Sequence, residues 1–205
     1  MRTKKGDFVE LEFVALTEDG RVFDTNIKEE ASKIGVEDSE KVEPLGICIG
    51  QGMLVKGLDK GLEDREAGKD YSLEIKPEEA FGKRDARLVR TVPLMAFAEM
   101  PRQGMFINVD GLLARVVSIN GGRVLIDMNN PLAGKKINYR FRIKSIIEDK
   151  EKKIKIIAES MKAELKKINI NKDNGSIEVE LKDKKQINDF EKRVKELANF
   201  DVKVV

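Results

Sequence analysis

The sequence predicts an α+β fold dominated by antiparallel strands, on three observations. Several segments alternate apolar and polar residues, as half-buried strands do. One apolar segment runs into a glycine-rich turn and then into a short stretch with helical spacing. The tail beyond residue 150 combines two amphipathic helical patterns with strand patterns. The chain of 205 residues is long enough for one or two domains.

The first elements form a hairpin. Residues Gly6 to Leu16 alternate and predict a strand with one buried face. An Asp19-Gly20 turn follows, so residues 21–24 should pair back on that strand. Residues 26–43 are polar with little periodicity, which indicates a flap or loop, or alternatively a short helix near Lys28 to Ile34.

The glycine-rich segment spans residues 44–62. Residues 45–49 predict a short strand, and glycines at 50, 52 and 57 permit a tight turn before a short helix that begins near Met53. A dinucleotide-binding fingerprint would need glycine where Val55 stands, and a P-loop would need Ser or Thr directly after Gly-Lys. A strand-to-helix turn is therefore favoured, and it is compatible with a helix that packs under an open sheet and floors an apolar pocket.

Further strands follow in chain order. Residues 69–77 alternate, and Pro77 to Phe81 indicates a turn or short helix. Within residues 85–129, hairpin turns at Asp110-Gly111 and residues 120–122 separate three strands at 105–109, 112–119 and 124–128, with a short helix near Pro93 to Glu99. Residues 137–147 should return to the main sheet.

A charge run at residues 148–153 marks a boundary before the tail. Helical spacing then joins apolar residues from Ile154 to Ile168, and a turn is predicted at Asp173 to Gly175. A strand at 177–181, a second helix at 187–198 and a last strand at 201–205 complete an αββαβ prediction.

Composition excludes several chemistries. The chain has no histidine and a single cysteine, Cys48, so a Cys–His pair, a Ser-His-Asp triad and a His-ligated metal site are ruled out. No run of eighteen apolar residues occurs, and the N-terminus lacks the apolar region of a signal peptide, so a cytoplasmic protein is expected. No cofactor or metal is predicted.

The glycine-rich segment resembles the signature of FKBP-type peptidyl-prolyl isomerases, especially the SlyD-like branch with its insert-in-flap domain and its long archaeal form. Four further segments agree in order along residues 5–148: 17–25, 61–69, 77–82 and 130–135. The resemblance implies an FKBP-type antiparallel sheet wrapped on a short helix. It also implies three domains: an isomerase domain at 1–84 plus 130–149, an insert-in-flap chaperone domain at 85–129 and a C-terminal α+β domain at 150–205.

What the resemblance implies for function is prolyl isomerisation in unfolded or nascent polypeptides, with chaperone activity. An apolar pocket would favour the twisted amide over the planar, well-solvated one, with no acid–base pair. The residues lining that pocket would be Phe13, Phe23, Asp24, Leu45, Leu54, Val55, Leu58, Phe81 and Tyr139. The Val55 N–H would anchor the substrate carbonyl, Leu58 would form the floor, and Asp24 would orient a neighbour or polarise the amide.

The sequence departs from the family at two pocket positions, where Phe13 and Phe81 stand in place of the usual tyrosines. Tyr139 replaces a usual phenylalanine, and its hydroxyl is expected to take over one lost contact. Activity should be reduced rather than abolished, since one neutral hydrogen bond is worth about 1 kcal/mol. A holdase or binding module with weak or no isomerase activity is the alternative.

The insert is rich in flexible apolar residues, which could serve its own core or hold clients. The resemblance favours client binding by Val92, Leu94, Met95, Phe97, Met100, Met105 and Phe106. The tail is rich in lysine, but interspersed glutamates indicate a solvated face rather than a nucleic-acid surface. Its small size suggests a homodimer through this domain or additional client binding.

Overall fold

The computed structural model describes residues 2–36, 42–109, 111–170, 177–181 and 186–204. They form two compact units, one comprising the chain up to Ile75 together with the chain from Ile137 onward, the other Lys76–Lys136. The strands are β1 Phe8–Thr17, β2 Val22–Thr25, β3 Leu45–Cys48, β4 Asp70–Ile75, β5 Val89–Pro93, β6 Phe106–Val109, β7 Leu112–Asn120, β8 Arg123–Asp127, β9 Ile137–Ile146, β10 Leu165–Ile170, β11 Ile177–Leu181 and β12 Lys203–Val204. The helices are α1 Lys28–Lys33, α2 Lys56–Gly61, α3 Lys150–Ser160 and α4 Ile187–Ala198, with 3₁₀ turns at Pro77–Glu79, Ala86–Leu88 and Leu94–Ala96.

The first unit is organised on a five-stranded antiparallel sheet in the order β2-β1-β9-β4, with β3 also paired to β1. Phe13 lies opposite Phe141 and Ala15 opposite Tyr139, and alternate residues of both strands are buried. The chain leaves this sheet at Ile75 and returns directly opposite, at Ile137. The α+β prediction with an antiparallel sheet is confirmed.

Helix α2 packs closely on this sheet. A Cβ atom at Gly61 would overlap Cδ2 of Leu73, which faces Tyr139 across the β4–β9 pair. The helix begins at Lys56 rather than near Met53, because Val55 is still in an extended conformation. The alternative helix near residues 28–34 is present as α1, so the segment after β2 is only partly a loop.

The tail has the predicted αββαβ order, but the first helix is shorter than its spacing indicated. Helix α3 ends at Ser160, and Leu165 and Ile168 belong to β10 instead. A register shift between Leu165 and Lys167 breaks strict alternation, so two apolar residues three apart both pack on the core. That spacing imitates a helix. The predicted turn at Asp173 to Gly175 lies outside the described residues.

The tail shares its apolar core with the start of the main sheet. Phe8 and Cys48 pack in one buried cluster with Ile154, Ile157 and Phe190 from the tail helices. At the crossing of α3 and β3, a Cβ on Gly46 would lie 2.7 Å from two side-chain carbons of Ile156. The proposed boundary of a separate domain at residue 150 stays a prediction.

The second unit holds a four-stranded antiparallel sheet in the order β5-β8-β7-β6. Its small core consists of Ala114, Val116, Val124 and Ile126, all fully buried. Three of these strands follow the sequence prediction, and β5 was missed. The predicted helix at Pro93 to Glu99 is only the 3₁₀ turn Leu94–Ala96, because Pro93 and Phe97 on either side are extended. Asp110 of the predicted turn lies outside the described residues.

The contact between Gly46 and Ile156 is expected to couple the tail to the sheet energetically. Gly46→Ala should destabilise the protein by about 1–3 kcal/mol through overpacking. Ile156→Ala should relieve that cost, so the double variant should be more stable than the sum of the single effects by about 1 kcal/mol or more. Urea denaturation of the four proteins measures this coupling. Ile154→Ala, on the same helix, provides the additive control, and additivity with Ile156→Ala as well would contradict the packing described.

Candidate functional site

One face of the main sheet carries a row of four residues from four neighbouring strands. Asp24 lies opposite Ala15, Ala15 opposite Tyr139, and Tyr139 opposite Leu73. Side chains directly opposite each other in antiparallel strands point to the same face. Because Ala15 has only a methyl group, Asp24 and Tyr139 approach each other over it, and the electrostatic influence of Asp24 reaches the Tyr139 hydroxyl.

Tyr139 is buried, with 5% of its surface exposed, and its ring packs against Phe13 at a centroid distance of 5.9 Å and a tilt of 54°. Burial, followed by the negative charge of Asp24, raises the pKa of the Tyr139 hydroxyl to about 12. The hydroxyl therefore remains protonated throughout the physiological range and can donate a hydrogen bond.

Asp24 is exposed as a residue, yet partial desolvation of its carboxyl group raises its pKa above the usual value for aspartate. A hydrogen bond from the backbone of Thr25 opposes that shift only in part. Next to it, a β-bulge at Phe23 shifts the register between Ala15 and Leu16, and Phe23 itself is half-buried. Bulges re-aim side chains beside functional sites.

The loop between β3 and α2 contributes Leu54 and Val55, both half-buried, and α2 contributes the fully buried Leu58. Val55 is the residue just before the helix, and its carbonyl accepts the Asp59 N–H at 3.0 Å. In the described part of the chain, the Val55 N–H has no hydrogen-bond acceptor. That donor can therefore bind a ligand carbonyl.

The two remaining predicted pocket residues are Leu45 and Phe81. Leu45 is half-buried on β3, where it lies opposite Leu11 and so faces the same side as Phe13. Phe81 is half-buried and belongs to the second unit, in the turn after the 3₁₀ segment Pro77–Glu79. The assignment of all nine residues to one pocket stays a prediction.

Sequence reasoning missed Asp59, which is 6% exposed. Its two carboxylate oxygens accept the backbone N–H groups of Gly50 at 2.7 Å and Gly52 at 2.9 Å. The signal was available in principle, because an aspartate directly after a predicted pocket-floor residue needs hydrogen-bond donors if it is buried. The acceptor role towards the glycine loop could not be read from spacing.

A cavity of about 640 Å³ lies elsewhere on the first unit. Glu12, Arg142 and Asp70 line it, and they alternate with the buried residues of β1, β9 and β4, which places them on the other face of the sheet. Ion pairs of Arg142 with Asp70 and of Lys144 with Glu12 satisfy these charges. This cavity contains none of the nine predicted pocket residues. It is a groove on the charged face.

The second unit divides the predicted client-binding residues into two groups. Val92, Leu94 and Phe97 pack against its small core. The other four are exposed, by 92% for Met95, 72% for Met100, 41% for Met105 and 48% for Phe106.

The strand register decides which of these residues share a face. Phe106 lies opposite Arg115, whose neighbours Ala114 and Val116 are buried on the other side of the sheet. Leu113, exposed by 61%, alternates to the same face as Arg115 and therefore joins Phe106. This leucine was missed, because its strand pattern gave no sign of which face is covered.

The described residues include no cluster of three or more acidic or cysteine side chains that could hold a metal ion. None of the described helices has the length and apolar character needed to cross a membrane.

Comparisons with known proteins place the chain in a family. Residues 1–93 match the model of the family described as FKBP-type peptidyl-prolyl cis-trans isomerase, and residues 91–132 match the model described as FKBP26, IF domain. A short-type peptidyl-prolyl cis-trans isomerase of Methanocaldococcus jannaschii is 33% identical over 147 residues, which cover 70% of this chain and 93% of the relative. SlyD of Helicobacter pylori is 27% identical over 134 residues, 62% of this chain and 72% of that protein.

Among solved structures, the three FKBP domains of wheat FKBP73 align with a TM-score of 0.40 and 16% identity, covering 72% of this chain and 41% of that one. The family assignment depends on the sequence comparison with the Methanocaldococcus jannaschii isomerase, because this chain matches nearly the whole length of that protein. The chain belongs to the FKBP-type peptidyl-prolyl cis-trans isomerases, in the branch whose members carry a SlyD-like insert-in-flap domain.

Proposed function

We propose that this isomerase acts on X-Pro bonds of unfolded or nascent polypeptides at the sheet face that carries Phe13, Asp24 and Tyr139, and that the second unit holds those clients. The observation that carries the proposal is the buried Tyr139 hydroxyl, packed on Phe13 and influenced by Asp24. The Val55 N–H, which has no acceptor in the described part of the chain, supports a carbonyl anchor near this face.

The reaction needs no bond cleavage. Rotation about the X-Pro amide has a barrier of roughly 18–20 kcal/mol, because twisting removes the resonance of the amide. A twisted amide has a more basic nitrogen and a less polar carbonyl than a planar one. Apolar surroundings formed by Phe13, Leu54 and Leu58 would disfavour the polar, planar form of the amide. A hydrogen-bond donor aimed at the proline nitrogen would stabilise the twisted form.

Tyr139 is the donor we assign to that role. Its raised pKa keeps the proton on the hydroxyl, and its buried ring fixes the direction in which the hydroxyl points. Asp24 would act on the same group from the neighbouring strand pair. With phenylalanine at positions 13 and 81, Tyr139 would supply a hydroxyl that the usual tyrosines of the family provide elsewhere.

A holdase with weak isomerase activity is the second candidate, and the exposure of Met95, Met100 and Phe106 favours it. Flexible methionine side chains adapt to varied apolar partners. A client held by these residues would present its prolines to the isomerase site repeatedly, at a raised effective concentration. Binding and isomerisation would then be combined in one chain. A homodimer through the tail and a cytoplasmic location stay predictions.

Tyr139→Phe should lower kcat/KM for a proline tetrapeptide about fivefold, since the lost hydrogen bond is worth roughly 1 kcal/mol. The other tyrosine, Tyr71, is the matched control. Its hydroxyl accepts the Glu66 N–H at 2.8 Å and its ring stacks on Phe141, so Tyr71→Phe should leave turnover unchanged. A protease-coupled assay measures both variants. Full activity of Tyr139→Phe would remove the hydroxyl from the mechanism.

Asp24→Asn should stabilise the protein at neutral pH while reducing its activity. Because the pKa of Asp24 is raised in the folded state, the fold favours its protonated form, and the ionised form lowers stability as pH rises through that pKa. The stability gain of the variant should therefore be present at pH 7 and disappear below the ordinary aspartate pKa of about 3.9. Thermal melts at pH 7 and pH 3 test this.

Asp19, in the same hairpin, is the control, because its pKa is shifted in the opposite direction from that of Asp24. A hydrogen bond from Thr17 lowers the pKa of Asp19, so its charge adds stability above the ordinary pKa and that stability is lost on acidification. Asp19→Asn should consequently lower the melting temperature at pH 7 and leave activity intact. If both variants changed the melting temperature at pH 7 in the same direction, the role assigned to Asp24 would be refuted.

Replacing Met95 and Met100 together by serine should weaken the suppression of aggregation of an unfolded protein, because both side chains are largely exposed. Turnover of a tetrapeptide, which is too short to need capture by these methionines, should stay at the wild-type rate. Val92→Ala is the contrasting variant, since Val92 packs on the small core and its truncation should lower stability instead. Light scattering and the tetrapeptide assay give the two readouts, and parallel losses in both would count against client binding.

A further inference from the structure

Apart from Tyr139 with its hydroxyl, the buried polar or charged side chains of the described residues are Thr3 and Asp59. Asp59 is in α2, directly after the predicted pocket floor, Leu58. Its Oδ1 accepts the Gly50 N–H at 2.7 Å and its Oδ2 accepts the Gly52 N–H at 2.9 Å. One buried carboxylate thus holds two backbone groups of the loop that precedes its own helix.

That loop depends on such acceptors. Gly50 and Gly52 have φ angles of +76° and +70°, a conformation that side chains disfavour and that turns their N–H groups towards α2. Removal of the carboxylate would leave two backbone donors without acceptors in a partly buried place, which is unfavourable. The loop would then be free to adopt other conformations.

The same residue also contacts the far end of the loop, through its main chain. The Asp59 N–H donates to the Val55 carbonyl at 3.0 Å, while its side chain holds Gly50 and Gly52. Between these fixed points lie Leu54 and the Val55 N–H. Both the start and the end of the segment are therefore defined by a single residue.

We propose that Asp59 is a positioning residue of the isomerase, which fixes the Val55 N–H and Leu54 in the arrangement that binds the substrate carbonyl. The proposal rests on the function proposed above. Asp59 acts through the loop and does not touch the substrate. The buried carboxylate serves the loop rather than the sheet, since its side-chain bonds end on Gly50 and Gly52.

Asp59→Asn is the direct test, because asparagine has the same shape but offers one oxygen acceptor and places an NH₂ group against the second N–H. We expect kcat/KM for a proline tetrapeptide to fall at least tenfold, mainly through KM. The amide resonances of Gly50, Gly52 and Val55 should shift, and hydrogen exchange at the glycine amides should accelerate. A purely structural role would not move substrate binding at a temperature where the variant is fully folded.

Thr3→Val is the matched control for loss of a buried polar group. Thr3 Oγ1 donates to the Leu62 carbonyl at 2.6 Å and accepts the Arg65 N–H at 3.1 Å, at the other end of α2. This variant should lose stability and keep its kcat/KM. If Asp59→Asn behaves like Thr3→Val, with a lower melting temperature and unchanged kcat/KM, the proposal is overturned.

Should Asp59→Asn fail to fold, two variants of Gly52 decide the question. Gly52 is exposed and a Cβ there meets no atom within 4 Å, so neither side chain would clash with a neighbour. Valine is strained at this φ, whereas asparagine tolerates it. Gly52→Val should therefore raise KM while Gly52→Asn does not, and equal activity of the two would overturn the proposal. Failure of the proposed function itself would look different, because the wild-type protein would then show no turnover.

Discussion

The antiparallel pairing of β1 with β9 is the constraint on which the rest of the first unit depends. These two long strands come from opposite ends of the catalytic region, and their register runs from Val9–Ile146 to Thr17–Ile137. A shift of β9 by one residue against β1 would turn Tyr139 to the charged face and bring Arg140 to the covered one. The alternation of buried and exposed residues in β9 makes that shift costly.

The proposed isomerisation chemistry depends on the side chains that the pairing of β1 with β9 brings together. Phe13 and Tyr139 pack together, and the carboxylate of Asp24 on the neighbouring strand is partly desolvated. In the proposed site, Leu58 and the Val55 N–H would complete an environment with few charges. Nothing here resembles an acid–base pair, and a reaction that only rotates an amide does not need one. The absence of histidine from the sequence is compatible with this chemistry, although it rules out many other enzyme classes.

Much of this could be predicted from local sequence patterns. Alternation identified β1 and β9, and the Asp19-Gly20 pair identified the hairpin. The roles of the pocket residues, which the family resemblance implied, stay predictions. Three features could not be predicted in this way. The register shift in β10 made a strand imitate a helix, since sequence spacing does not show a bulge. The faces of the insert strands depend on pairing that periodicity does not define, which is why Leu113 was overlooked. The role of Asp59 depends on the path of a glycine loop in three dimensions.

The junction at Ile75 and Ile137 has a consequence for how this family varies. Since those two residues face each other across the β4–β9 pair, everything from 76 to 136 is, topologically, one enlarged hairpin loop. Closing a flexible loop of this length rather than a four-residue turn costs only about 2 kcal/mol, because the entropy of closure grows logarithmically. A whole folded unit can thus be gained, exchanged or lost at this point while the paired strands around it keep their register. Evolution, or an engineer, could fit different folded units into the same sheet at this point.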